Sequence, residues 1–161
     1  MIKHLRLVTL CLFWAALSQT VTAADSADSL YHQAEARYRE QGYKDAAALL
    51  RDAVSMAPDE SRIHHLLGKC YGRMAETAGP LHAFSLARDT RREFEKAVEL
   101  DGKNIEALQD LMEYYREAPG FLGGSRKKAV EIEKRISRLN AQSPANETRS
   151  NGEKDFDSSV M

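Results

Sequence analysis

Residues 43–71, YKDAAALLRDAVSMAPDESRIHHLLGKCY, decide the fold. Ala46, Leu50 and Ala53 recur at helical spacing as small, large, small, and Pro58 stands where that helix must stop, because proline lacks an amide donor and its ring clashes with the preceding turn. Beyond the turn a second helical face begins, with Ile63, Leu67, Cys70, Tyr71 and Met74 turned to a core. Gly68 sits on that face, where the missing side chain lets a neighbouring helix come close. The stretch therefore reads as a helix, a tight turn and a helix.

The rest of the chain agrees with that reading. It has 161 residues, 43% of them apolar and 29% charged, which is ordinary material for one globular domain. Aromatic residues make up 7%, there are only four prolines, and Ala, Leu, Glu, Arg and Lys, the residues that cost least in a helix, dominate. An all-α fold is expected.

Residues 1–24 stand apart. Lys3, His4 and Arg6 form a basic start, Leu7 to Leu17 an apolar run including Phe13 and Trp14, and Val21-Thr22-Ala23 a small-residue cleavage site, which is the pattern of a signal peptide. The run is about half the roughly 20 residues that a membrane-spanning helix needs. Cys11 lies inside it after Leu10, not after the small residue that lipid attachment would require. Export with cleavage is expected, leaving a periplasmic or secreted protein with no stable membrane span. Without residues 1–24 the formal charge is −3, and nothing in the charge pattern points to nucleic acid. Cys70 is then the sole thiol, so no intramolecular disulfide can form, and it reads as a small buried residue.

Three units of the same order can be laid along the chain. The first runs through Tyr31, Ala34-Glu35, Tyr38, Gly42-Tyr43, Ala46, Leu50, Ala53 and Pro58. The second has His64, Leu67-Gly68, Tyr71, Thr90, Phe94, Ala97 and Gly102, and the third Leu108, Leu111-Met112, Tyr115, Ala129, Glu133 and Ile136. This order resembles the tetratricopeptide repeat family, and the resemblance covers roughly Ser29 to Leu139. It implies an α-solenoid of three helical hairpins over residues 25–141, with a simpler helical bundle as the alternative. The third unit departs most, with Met112 in place of glycine and Glu133 in place of a large apolar residue.

Two insertions interrupt the array. Tyr71 and Ala97 lie 26 positions apart, where the ideal unit separates the equivalent positions by about 16. The excess falls around Gly79-Pro80, so each helix of the second hairpin is expected to lengthen by about five residues, or roughly 7 Å. The third hairpin carries Ala118-Pro119-Gly120-Phe121-Leu122-Gly123-Gly124 at its internal turn, with Ser125 as N-cap of the last helix, expected over about Arg126 to Leu139. Both insertions fall at internal turns and so share one edge of a solenoid. Phe121 and Leu122 there are either an anchor for a partner or a plug packed on Leu81 and Phe84, the plug being the preferred reading. The Pro-Gly-Phe-Leu-Gly-Gly run resembles a loop of small exported bacterial tetratricopeptide proteins. Residues 142–161 hold little to bury and read as a disordered polar tail.

No catalytic pattern emerges. Gly-x-Ser-x-Gly, Cys-x-x-Cys and His-Glu-x-x-His are absent, and His64 and His65, about 100° apart on a helix, form no metal-ligand spacing with His32 or His82. Neither metal nor cofactor is expected. Gly123, Gly124 and Ser125 before a helix, with Lys127 and Lys128, form a weak candidate for an anion or phosphate site, without the strand and spacing of a P-loop.

The stronger candidate is Arg62, His65, Lys69 and Arg73, spaced 3, 4 and 4 along one face opposite the core. By the tetratricopeptide resemblance these positions line the concave groove, which would be basic and suited to an acidic peptide or carboxylate. The competing reading pairs Arg62 with Glu106, Lys69 with Glu113 and Arg73 with Glu117 on the next first helix, a ladder of weak exposed pairs. The expected function is a non-catalytic adaptor or scaffold of the cell envelope that binds a protein or peptide.

Overall fold

The computed structural model describes residues 23–154, and residues 1–22 and 155–161, with most of the expected signal peptide, lie outside them. Six helices follow in chain order: α1 Ala23–Arg39, α2 Tyr43–Met56, α3 Ser61–Thr77, α4 Pro80–Leu100, α5 Ile105–Glu117 and α6 Arg126–Lys154, with a 3-10 turn at Gly120–Leu122 between the last two. No strand occurs among the described residues. The helices form three hairpins, α1–α2, α3–α4 and α5–α6, stacked in order, with α3 and α4 sharing the longest contact.

Local chemistry sets the ends. α2 stops at Met56, two residues before Pro58, with the Ala57 amide donating to the Ala53 carbonyl. Pro80 opens α4 at its first turn, where its missing amide costs nothing and its fixed φ suits a helix. Asn104 caps α5, its side chain accepting from the Ala107 amide at 3.0 Å.

The insertion in the second hairpin is shared unequally: α3 has 17 residues and α4 has 21, against 14 in α2 and 13 in α5. Gly79-Pro80 fixes the turn close to α3, so most of the added length falls on α4. At the other end, α6 continues to Lys154, past Leu139 and into the segment read from sequence as a polar tail. Ala141 and Gln142 favour continuation past Leu139, and the helix carries on through Pro144, a residue that removes one backbone hydrogen bond from a helix interior.

Two apolar clusters hold the stack. Leu50, Ile63, Leu67 and Cys70, with Ala34 and Ala53, bind the first hairpin to the second. Phe94, Leu111, Tyr115 and Ala129 bind the second to the third, with Met112 packed against them. Phe94 lies directly over Gly68, where an added Cβ would come within 2.6 Å of the ring. The close approach expected at Gly68 is made by that ring.

Candidate functional site

The outward face of α3 is flanked by α1 and α5. Between them lies a groove of about 350 Å3, bordered by Tyr38 of α1, Lys69 and Arg73 of α3, and Asp110, Glu113 and Tyr114 of α5. Lys69 and Arg73 both line it.

The partners of the stripe differ from the expected ladder. Arg62 turns back to α1, its Nη2 donating to Asp28 Oδ1 at 2.7 Å while its guanidinium lies 4.8 Å from the centre of the Tyr31 ring. Its Nε is also 3.3 Å from Glu60. Lys69 Nζ sits over the Tyr38 ring at 5.6 Å, and Arg73 pairs with Glu76 within α3 at 3.1 Å. Neither Arg62 nor Arg73 reaches the carboxylate assigned to it, Glu106 or Glu117. Only His65 crosses to α5, its Nε2 being 2.7 Å from Asp110 Oδ2. Helix geometry explains the split: Arg62, Lys69 and Arg73 fall within about 40° of each other, whereas His65 lies about 60° round from Arg62. The groove is therefore of mixed charge, not basic, with Lys69, Arg73 and Glu76 on α3 and Asp110 and Glu113 on α5.

Beneath the stripe, His64 makes a buried link that sequence reasoning missed. Its Nδ1 lies 2.7 Å from Glu93 Oε2 and its Nε2 2.9 Å from the Pro58 carbonyl. With Glu93 ionised both partners accept, so the geometry suits the imidazolium form of His64, with a proton on each ring nitrogen. The hydrogen bond to Glu93 raises the His64 pKa above its ordinary 6.5. Burial pushes Glu93 upward, but hydrogen bonds from His64 and Arg92 outweigh it and leave its carboxyl below the ordinary 4.5. Burial also pushes the Cys70 thiol up to about 12, which makes it inert as a nucleophile.

The insertions meet, but not as a plug. Phe121 packs edge-on against Phe84 with ring centres 5.8 Å apart, yet it remains 75% exposed and Leu81 87% exposed. The Tyr114 hydroxyl donates to the Leu122 carbonyl at 3.0 Å, and the turn leaves Leu122 half-buried and Phe121 outside.

The anion candidate loses its donors. The Gly123 amide donates to the Gly120 carbonyl, Gly124 to Pro119 and Ser125 to Tyr115, at 2.9, 3.1 and 2.8 Å. Gly123 has φ 90°, and a Cβ on Gly124 would lie 1.7 Å from the Ala118 carbonyl oxygen, so these glycines serve the turn. Lys128 reaches Glu95 and the Tyr115 hydroxyl at 3.8 and 3.3 Å, while Lys127 stays exposed.

Among the described residues there is no group of three His, Cys, Asp or Glu side chains able to hold a metal, and no helix long and apolar enough to cross a membrane.

No protein-family model and no curated protein matches the chain. Solved structures do. The human IFIT1 dimer with PPP-AAAA shares 25% identity at a TM-score of 0.59, over 66% of this chain and 24% of that one. A monomeric IFIT1 mutant with Gppp-AAAA shares 22% at 0.61, over 70% and 26%. MamA shares 20% at 0.60, over 78% and 64%. The chain thus spans about a quarter of IFIT1 and just under two thirds of MamA. With its stacked hairpins, its Gly68 contact and this likeness, the chain is a tetratricopeptide-type α-solenoid.

Proposed function

We propose that the protein is a non-catalytic adaptor or scaffold that is exported to the cell envelope and binds a protein or peptide segment in the groove between α1 and α5. The observation that carries this reading is the groove's arrangement. Lys69 rests on Tyr38, and Arg73 pairs with the exposed Glu76 of its own helix and hydrogen-bonds Tyr38, while Asp110 and Glu113 stand on the opposite wall. A segment with a carboxylate on one side and a donor on the other fits such walls, and exposed pairs worth about 0–1 kcal/mol open easily to admit it. The apolar run Leu7 to Leu17 after Lys3 and Arg6 supports export. The anion reading at Gly123-Gly124-Ser125 is disfavoured because those amides already donate within the turn.

The test compares wild type with a Lys69→Glu, Arg73→Glu variant for the partner retained after crosslinking in cells. The variant is expected to lose the partner while keeping the wild-type thermal midpoint within a few degrees. Equal recovery from both would contradict the groove.

A further inference from the structure

The two insertions bring a consistent chemistry to one edge. On α4, Leu81, Phe84, Arg88 and Arg91 recur at spacings of 3, 4 and 3, forming one stripe that starts at the protruding end of the helix. Phe121 lies against Phe84, and Leu81, Phe84 and Phe121 are 87%, 45% and 75% exposed. Behind this apolar tip the Arg91 guanidinium covers Gly123, and α6 opens with Arg126, Lys127 and Lys128. From Ala78 to Arg88 and from Ala118 to Lys128 there is no carboxylate, in a chain whose formal charge is −1.

The bordering acids answer only part of that positive charge. Asp89 pairs with Arg92 at 2.8 Å, Glu95 is shared by Arg91 and Lys128 at 3.9 and 3.8 Å, and Glu117 stands just before the turn. Arg88, Arg126 and Lys127 are exposed and have no ion-pair partner among the described residues.

Leu81, Phe84 and Phe121 are left exposed by the chain's own core. A protein partner would need hollows matched to all three, and an interface of about 800 Å2 on each side. A lipid interface needs no such match: it admits projecting apolar groups, and anionic headgroups attract the cations behind them. We propose that this edge docks on an anionic lipid surface, with Leu81, Phe84 and Phe121 entering the interface and Arg88, Arg126 and Lys127 facing the headgroup phosphates.

Trp14, the chain's one tryptophan, lies in the segment expected to be cleaved on export, so the exported form without residues 1–24 and carrying Phe121→Trp reports from the tip alone. Phe121 is exposed enough for the exchange to leave the fold intact. Its emission is expected to move to shorter wavelength on vesicles rich in phosphatidylglycerol and to stay put on pure phosphatidylcholine. Adding Arg88→Gln and Lys127→Gln is expected to weaken vesicle binding roughly fivefold for each cation removed. Unchanged emission on both vesicles, an equal shift on both, or unaltered affinity in the glutamine variant would overturn the proposal. A shift with polyglutamate but not with phosphatidylglycerol vesicles would also overturn it and assign the edge to an acidic protein.

Discussion

At the scale of single residues, Gly68 and His64 do opposite work on neighbouring turns of α3. Gly68 admits the Phe94 ring, and a methyl group there would meet ring carbons 2.6 and 2.7 Å away. Gly68→Ala is expected to destabilise the protein by about 1–3 kcal/mol in urea denaturation. Gly79→Ala, where nothing lies within 4 Å, serves as the control with little effect. Gly68 was legible because it follows Leu67 at a fixed place in the repeat. His64 was not, because it occupies a position that the pattern assigns to a large core residue, and its partner Glu93 is 29 residues away. Only the packing of α4 on α3 shows that the side chain is buried with its charge compensated.

That link makes stability depend on pH in a definite sense. His64 is held above 6.5, so its contribution is complete below 6.5 and is lost as pH rises through its folded value. Glu93 is held below 4.5, so its contribution is present above 4.5 and is lost as pH falls through its folded value. The pair is at full strength between the two ordinary values. Wild type is therefore expected to exceed Glu93→Gln by about 3 kcal/mol near pH ~5.5, with the margin shrinking towards pH ~9. Thermal melts across that range check this, and a margin independent of pH would contradict it.

At the scale of elements, the stripe on α3 shows what spacing conveys and what it leaves open. The spacings 3, 4 and 4 placed Arg62, His65, Lys69 and Arg73 opposite the core, but only Lys69 and Arg73 line the groove, Arg62 turns to α1, and His65 is buried with its ring 5.8 Å from that of Phe94. Which helix each would meet depended on 40–60° of rotation and on how near α1 and α5 stand, neither of which the spacing contains. The Arg62–Asp28 pair is half exposed on both sides, at 42% and 45%. Asp28→Asn is accordingly expected to cost no more than about 1 kcal/mol in denaturant titration, and less at high salt. The same limit applies to lengths: Gly79-Pro80 marked the insertion, but the division between 17 residues in α3 and 21 in α4 came from where Pro80 could open a helix.

At the scale of the whole molecule, three hairpins stack through two apolar clusters, with Phe94 over Gly68 where the second hairpin closes. The repeat was readable because stacking needs small and large residues at fixed places, and those places survive the insertions. The exposed edge was half readable. The sequence placed both insertions together, yet Phe121 stays outside because the 3-10 turn is tied down through the Leu122 carbonyl and the Gly124 amide. The stack leaves a mixed-charge groove on one face and an apolar, cation-backed tip at one edge.

Whether a partner sits in the groove between α1 and α5 can be read by site-specific photocrosslinking in cells. A crosslinking residue replaces Glu113 on the groove wall or, separately, Ser55 on α2, both exposed. A discrete adduct is expected from position 113 that is absent from position 55 and disappears with Lys69→Glu, Arg73→Glu. The same adduct from both positions, or none from position 113, would contradict it.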